Sequence, residues 1–243
     1  MPGGRSRHTY DMSTTGYHWM AISLLLNAER LRRLRRLDCC AISDALDKLQ
    51  LSGVVTGIPQ QAGAARIAGL AITVKLGTGD PPPGPRRHLG ATAIESGGPD
   101  HVIVIEQRTG VEAGSWGGLL TLAAKLKGIA GVIADGPVRD IDEAVAYDFP
   151  IYTRALTART ARGRIVEKAT NAPITAFGVE VEPGDFVAAD RSAVIFIKPA
   201  DIDRVLDTAE AIVTRESAMA KALLSGKPVT QVLNGNYENM LES

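Results

Sequence analysis

The sequence predicts an α/β domain, and three features of its pattern support that prediction. An apolar run at residues 102–105 precedes a segment with helical spacing at 117–126 and a second apolar run at 132–134. This order is typical of a parallel sheet with crossover helices. Toward the C-terminus, short β-type runs alternate with Pro-Gly turns. A long segment with helical spacing at 201–224 follows those runs.

Length and composition bound the possibilities further. The 243 residues predict a single domain at 38–243 behind a tail and helix at 1–37. Because 45% of the residues are apolar and the formal net charge is zero, we expect a sizeable core and neither nucleic acid nor a membrane surface as partner. The apolar run at 19–26 is shorter than the roughly 20 residues that span a bilayer, and no clean cleavage site follows it. We expect a cytoplasmic protein with a loose tail at 1–15.

The first predicted helix, at residues 29–38, is strongly basic. Leu31, Leu34 and Leu37 recur at a spacing of three, with arginines filling the gaps. One interpretation is a helix that binds RNA or a partner protein. The favoured one is an amphipathic helix with a solvated basic face, because no aromatic residues interleave for base stacking.

Asp38 is a candidate N-cap for a second helix at 41–50. The two cysteines, Cys39 and Cys40, are adjacent. Neighbours in sequence rarely form a disulfide, so we expect both to pack as small buried side chains.

The remaining elements follow from periodicity and turn residues. Residues 53–63 are rich in turn formers, and 77–84 form a loop around three consecutive prolines. Strands are predicted at 67–76, 102–105, 132–134, 150–154, 172–177, 179–181, 185–189 and 194–197, with a further β-type position at Val166. Helices are predicted at 88–96, 117–126, 141–147 and 201–224, and a short helix closes the tail.

The segment at 117–143 carries the candidate binding site. Its helix begins at Gly117 and Gly118, where the first backbone N–H groups have no partner within the helix. Those groups and the helix dipole favour a small anion, and glycine permits close approach. We therefore expect the amides from Gly117 to Leu120, including Leu119, to bind a carboxylate. A tight turn without function is the alternative.

The polar loop after the next strand carries the candidate chemistry. The Arg139 guanidinium suits a carboxylate or a developing enolate oxygen. Asp140 is a hard oxygen ligand for Mg or Mn, which keep several waters. Glu143, one helical turn on, would bind metal waters or brace the loop. The alternative is a surface ion pair of little energetic value.

The joint spacing of these residues resembles a known family. Gly118 is followed after twenty residues by Arg139 and Asp140, and then by Glu143. This signature resembles that of the metal-dependent 4-hydroxy-4-methyl-2-oxoglutarate / 4-carboxy-4-hydroxy-2-oxoadipate aldolases. They belong to the RraA-like superfamily, with the regulator of ribonuclease activity A.

Further segments between about residues 38 and 199 agree with the resemblance. They are the early helix at 43–46, the G-x-A-x-T-V strand at 69–74, the D-G-x-x-R-D loop at 135–140 and the P-G-D hairpin at 183–185 with Asp190 after it. One position departs from the family pattern: Ala193 stands where glycine is usual.

The resemblance implies a layered αββα sandwich of the swivelling β/β/α type, with N- and C-terminal helices. It implies a homo-oligomer, a trimer or hexamer, with sites between subunits. Its implied activity is cleavage of a 4-hydroxy-2-oxo acid to pyruvate, with Arg139 and Glu143 catalytic, Gly117 to Leu120 and Arg139 binding substrate, and Asp140 binding Mg or Mn. Oxaloacetate decarboxylation is the implied side activity.

These motifs specify the pyruvate half of the substrate but not its other half, the general base or the choice between Mg and Mn. Alternatives are a dedicated 2-oxo acid decarboxylase, a tautomerase-like enzyme, and a non-catalytic regulator that binds an RNA-processing partner. The four histidines are scattered without metal-ligand spacing. Lys125 and Lys127, candidates for a Schiff base, are expected to face solvent.

Overall fold

A computed structural model of the protein describes residues 24–85 and 87–233. Its strands, in chain order, are β1 (Val54–Val55), β2 (Gln60–Ala62), β3 (Ile67–Gly77), β4 (His101–Glu106), β5 (Gly131–Asp135), β6 (Ile151–Thr153), β7 (Val166–Thr170), β8 (Ile174–Ala176), β9 (Val179–Val181), β10 (Phe186–Ala189) and β11 (Val194–Ile197). Its helices are α1 (residues 24–34), α2 (Cys39–Lys48), α3 (Ala91–Ser96), α4 (Gly118–Leu126), α5 (Ile141–Ala146), α6 (Ile202–Leu224) and α7 (Val229–Val232). The predicted α/β class is confirmed.

The main sheet has nine strands, in the order β1-β11-β10-β3-β4-β5-β6-β2, with β7 paired to β3 off this path. Strands β3, β4, β5 and β6 are parallel neighbours, and the other pairings are antiparallel. Lys75, Glu106 and Asp135 lie side by side near the ends of three parallel strands. Because parallel strands end at one edge, the loops that follow them gather there.

Apolar side chains cover both faces of this sheet. One cluster lies under α3, α4 and α5 and includes Trp116 and Phe149. A second joins α1, α2 and α6 to β10 and β11. A third includes residues of the two-stranded β8–β9 sheet. The continuous apolar runs in β4 and β5 are thus explained by burial on both sides.

Helix α1 packs as part of the second cluster. Leu31, Leu34 and Leu37 are 1%, 1% and 5% exposed, as expected for an amphipathic helix. The expectation of a solvated basic face holds for the exposed Arg32, Arg35 and Arg36. It does not hold for Arg30, which pairs with Asp203 of α6. Arg33 likewise pairs with acidic groups of α6. Arg30 and Arg33 therefore bind an acidic face of α6 within the same chain.

Other boundaries differ from the sequence prediction for local reasons. The segment at 53–63 contains the strands β1 and β2, which are too short to show a period. Helix α3 starts at Ala91 rather than at 88, because Gly90 has a positive φ of 78°. Cys39 is buried as expected, but Cys40 is exposed.

Asp38 caps α2 as predicted, accepting the Ala41 N–H at 2.8 Å. The predicted tail at 1–15 lies outside the described residues. Within 24–85 and 87–233, no helix is both long and apolar enough to cross a membrane.

Candidate active site

Three loops meet at the edge where the parallel strands end. The loop after β4 is tied to the loop after β5 by Ser115, whose N–H and hydroxyl both donate to the carbonyl of Pro137 at 2.7 and 2.9 Å. The loop after β6 joins them, because the Val138 N–H donates to the carbonyl of Ala155 at 3.0 Å. Ser115 is fully buried. These bonds fix the three loops as one platform.

The first turn of α4 stands on this platform. The indole N–H of Trp116, itself buried, donates to the Thr121 hydroxyl at 2.9 Å. That hydroxyl donates in turn to the carbonyl of Gly117 at 3.1 Å. Buried hydrogen bonds therefore fix the backbone where the chain enters α4. The N–H groups of Leu119 and Leu120 have no acceptor within the helix.

Asp140 connects the loop after β5 to this turn. Its carboxylate accepts the Gly118 N–H at 3.0 Å and the Nε–H of Arg139 at 3.2 Å. Asp140 has a left-handed backbone with φ 58°, a conformation that aspartate and asparagine tolerate better than most residues. The side chains of Arg139 and Asp140 are 35% and 32% exposed, so both groups remain accessible from solvent.

The two glycines are required for space rather than for backbone freedom. Gly117 has an extended backbone with φ −158°, which any residue can adopt. A Cβ atom there would lie 2.9 Å from Asp140 Oδ2, and one at Gly118 would lie 1.8 Å from Glu143 Oε2. The paired glycines thus let two carboxylates approach the start of α4.

These residues line a cleft of about 200 Å³. Of the predicted site residues, it brings together Gly117, Gly118, Leu119, Leu120, Arg139 and Asp140. Glu143 lies behind Gly118 and lines a neighbouring depression that also includes Arg139 and Asp140. Lys125 and Lys127 are exposed, as expected.

A hydrated divalent cation fits the donor set of this cleft. In the described part of the chain, no three His, Cys, Asp or Glu side chains form a cluster able to hold a metal. The protein ligand in this cleft would therefore be the single carboxylate of Asp140. A carboxylate offers about four lone-pair sites, and its contacts with Gly118 and Arg139 leave part of them available to a cation. Mg and Mn are bound in this way, through one or two carboxylates and several waters.

The cleft residues that sequence reasoning missed include His88, Trp116, Thr160 and Arg162. Thr160 and Arg162 belong to the loop after β6, and the rule that ligands bind where parallel strands end could have pointed to that loop. His88 comes from the segment after the proline-rich loop, with no local signal. His88 and Arg162 also line an adjoining groove of about 890 Å³, whose wall includes Pro81 to Pro85.

Comparison with known proteins places this site in context. Residues 39–196 match the family model described as RraA-like, Aldolase/RraA. A Halalkalibacterium halodurans protein named "Putative 4-hydroxy-4-methyl-2-oxoglutarate aldolase" is 30% identical over 199 residues, covering 79% of this chain and 88% of that protein. Other curated relatives are longer: the matched part makes up 59% of an uncharacterized Methanocaldococcus jannaschii protein and 32% of protein DlpA from Legionella pneumophila.

Solved structures share the fold. The crystal structure of an uncharacterized Pseudomonas syringae protein has a TM-score of 0.74 and 28% identity, covering 84% of this chain and 96% of that one. RraAS2 of Streptomyces coelicolor, described as an unusual member of the RNase ES inhibitor RraA family, has a TM-score of 0.68. Its identity is 23%, over 78% of this chain and 94% of its own, so it supports the fold alone.

Proposed function

The chain belongs to the RraA-like family, and on that basis we propose that it is a divalent-metal-dependent lyase. It cleaves a 4-hydroxy-2-oxo acid, such as 4-hydroxy-4-methyl-2-oxoglutarate, to pyruvate and a second oxo acid. The relatives named for this aldolase activity are about 30% identical to the chain. The family name covers aldolases and RraA proteins alike, so the argument for catalysis depends on the site.

One observation carries the proposal: an arginine, a carboxylate and a helix N-terminus meet at one cleft. The Gly118 amide and the Arg139 guanidinium both contact the Asp140 carboxylate. Arg139 uses only Nε for this contact, and its terminal nitrogens make no hydrogen bond to a described residue. They are therefore available to stabilise a developing oxyanion, which is the usual role of preorganised donors in catalysis.

The substrate carboxylate would bind at the start of α4. The Leu119 and Leu120 amides have no acceptor within the helix, and the helix dipole favours an anion there. The Gly118 N–H already donates to Asp140, so it is not available to the substrate carboxylate. The role of Gly118 is to leave room at the start of α4. Holding the carboxylate fixes the 2-oxo group relative to Arg139, and such orientation lowers the barrier.

Asp140 would hold the divalent cation, Mg or Mn, and Glu143 would orient its water ligands. When bound, the cation supplies Lewis-acid stabilisation of negative charge on the 2-oxo oxygen. Gly117 keeps the approach to Asp140 Oδ2 free, because a Cβ atom would lie 2.9 Å from that oxygen.

The reaction requires a base, a bond cleavage and a reprotonation. Removal of the 4-hydroxyl proton lets the C3–C4 electron pair move toward the 2-oxo group, which leaves the enolate of pyruvate and a new carbonyl at C4. Protonation at C3 then gives pyruvate. Oxaloacetate loses carbon dioxide through the same enolate, so decarboxylation is the expected side activity.

Substrate comparison tests the assignment. Purified protein is supplied with oxaloacetate and with 4-hydroxy-4-methyl-2-oxoglutarate, with added Mg or Mn, and pyruvate is measured by a coupled assay. An aldolase turns over both. Turnover of oxaloacetate alone would instead identify a dedicated decarboxylase.

A non-catalytic regulator is the alternative, since an RNase ES inhibitor relative shares the fold. Affinity capture with the full chain as bait would distinguish the two. Recovery of an RNA-processing enzyme together with absence of lyase activity would favour the regulator.

The cleft would be completed by neighbouring subunits of a trimer or hexamer. Leu119 and Leu126 of α4 are 85% and 80% exposed, and Val145 of the adjacent α5 is 56% exposed. Such apolar exposure beside a site is typical of an interface. Light scattering coupled to size exclusion gives the subunit number, and a monomer would contradict this part.

A further inference from the structure

We propose that His88 is the general base that removes the 4-hydroxyl proton of the substrate. This inference rests on the proposed lyase function and names a role that none of the predicted site residues fills. Arg139 is a cation, Asp140 and Glu143 are assigned to the metal, and the amides of α4 only donate. His88 lines the same cleft as these groups.

The hydrogen bond of the ring determines which nitrogen is basic. His88 Nδ1 lies 2.9 Å from the carbonyl oxygen of Leu89. A carbonyl oxygen only accepts hydrogen bonds, so Nδ1 carries the proton in this contact. In the neutral imidazole the lone pair is therefore on Nε2, and a backbone carbonyl on the other nitrogen is the usual device that fixes a histidine in this tautomer.

The position of His88 suits the scissile end of the substrate. It lies on the boundary between the 200 Å³ cleft and the 890 Å³ groove, because it lines both. In the proposed function the pyruvyl half binds at α4 and Arg139. We infer that the rest of the substrate extends into the larger groove, which would bring C4 to the boundary where His88 lies. A base at this boundary would face the 4-hydroxyl rather than the pyruvyl carboxylate.

The backbone around His88 is anchored while its ring is exposed. The next residues pack inward: Gly90 donates its N–H to Glu167 at 2.6 Å, and α3 begins directly after it. The charged side chains that line the cleft or the groove with His88 are Arg87, Arg139, Asp140, Arg162 and Glu167.

The proton transfer balances without a further reactant. Nε2 takes the hydroxyl proton, the oxygen electron pair forms the C4 carbonyl, and the C3–C4 pair becomes the enolate of pyruvate. The imidazolium then returns its proton to C3 of the enolate or to water. Decarboxylation of oxaloacetate has no hydroxyl to deprotonate, so that reaction does not need this base.

The contrast between the two reactions provides the test. His88→Asn keeps a donor for the Leu89 carbonyl but has no lone pair at the Nε2 position. Because positioned general bases contribute roughly 10²- to 10⁴-fold, we expect aldol cleavage to fall by about 100-fold or more. Oxaloacetate decarboxylation should fall far less, so the ratio of the two activities shifts toward decarboxylation.

A control and a second measurement keep the result interpretable. His101→Gln changes a histidine at the opposite end of β4, outside the cleft, and should leave the activity ratio as in wild type. The acid limb of the pH profile for aldol kcat/KM should be lost in His88→Asn only. Retained aldol cleavage, or an equal loss of both reactions in a folded variant, would overturn the role of His88. Absence of both reactions in the wild-type protein would instead refute the lyase function itself.

Discussion

The Asp140 carboxylate accepts the backbone N–H of Gly118 at 3.0 Å, across 22 positions of the chain. This contact joins the loop after β5 to the first turn of α4. It holds a carboxylate oxygen at the positive end of the α4 helix dipole. The proposed metal ligand and the proposed anion site are thereby fixed relative to each other.

Replacing Asp140 by Asn should abolish catalysis without unfolding the protein. Asparagine tolerates the left-handed backbone at φ 58° and keeps an oxygen that can accept the Gly118 N–H. It lacks the charge that binds a divalent cation, so we expect pyruvate release to fall by about 100-fold or more. Asp142→Asn, an exposed acid in the same helix turn outside the cleft, is the control. A thermal unfolding midpoint close to wild type in both variants separates this effect from misfolding.

Arg139→Gln should reduce kcat more than it changes KM. The terminal guanidinium nitrogens donate no hydrogen bond to a described residue. In the proposed mechanism they stabilise the negative charge that develops during bond cleavage. Loss of one such donor costs about 10²- to 10³-fold in kcat. Arg159→Gln removes a more exposed arginine, which pairs with Glu112 at 2.8 Å, and should remain active. Equal rates in the two variants would remove Arg139 from the mechanism.

Alanine at the paired glycines should impair activity through displaced carboxylates. At Gly117 the new Cβ would meet Asp140 Oδ2 at 2.9 Å, and at Gly118 it would meet Glu143 Oε2 at 1.8 Å. Both are ends of flexible side chains, so the stability cost stays at about 1 kcal/mol while the site is distorted. Gly98→Ala, where nothing lies within 4 Å, is the matched control. Titration of Mn binding should show a weaker affinity for Gly117→Ala than for this control.

Much of the site could be predicted because its determinants are local. The glycines before α4 and the Arg139–Asp140 pair each lie where an apolar run meets a helical period, so the sequence places them at element ends. Their convergence follows from parallel neighbours β4 and β5. His88 and Arg162 could not be found in this way, because their segments have no period. The salt bridges between α1 and α6 were missed for a related reason: pairing across 173 positions leaves no local signal.

The turn after β10 contains Ala193, where the family usually has glycine, without strain in the backbone. Asp190 accepts the backbone N–H groups of Ser192 and Ala193 at 2.8 and 3.3 Å, and that of Cys39 at 2.9 Å. Ala193 is not among the described residues with a positive φ. An alanine where glycine is usual therefore adds no backbone strain.

Asp190→Asn should destabilise the fold in a pH-dependent manner. Partial burial alone raises the pKa of Asp190, but hydrogen bonds from the N–H groups of Cys39, Ser192 and Ala193 outweigh burial and hold it below the ordinary 3.8. A lowered folded pKa means that the stabilisation is complete above pH 3.8 and is lost as pH falls through the lower folded value. We expect the variant to lose about 1 kcal/mol at neutral pH. The difference in the free energy of unfolding between wild type and the variant, measured by urea unfolding, should narrow below pH 3.8. A difference that does not change with pH would show that the loss does not come from the carboxylate charge.

Chelation tests the central claim most directly, that this cleft releases pyruvate with the help of a divalent cation at Asp140. Pyruvate formation from 4-hydroxy-4-methyl-2-oxoglutarate is followed in wild-type protein before and after EDTA treatment, and again after Mg or Mn is restored. The account predicts activity that disappears with EDTA and returns with metal in wild type but not in Asp140→Asn. Full pyruvate release in the presence of EDTA would contradict it.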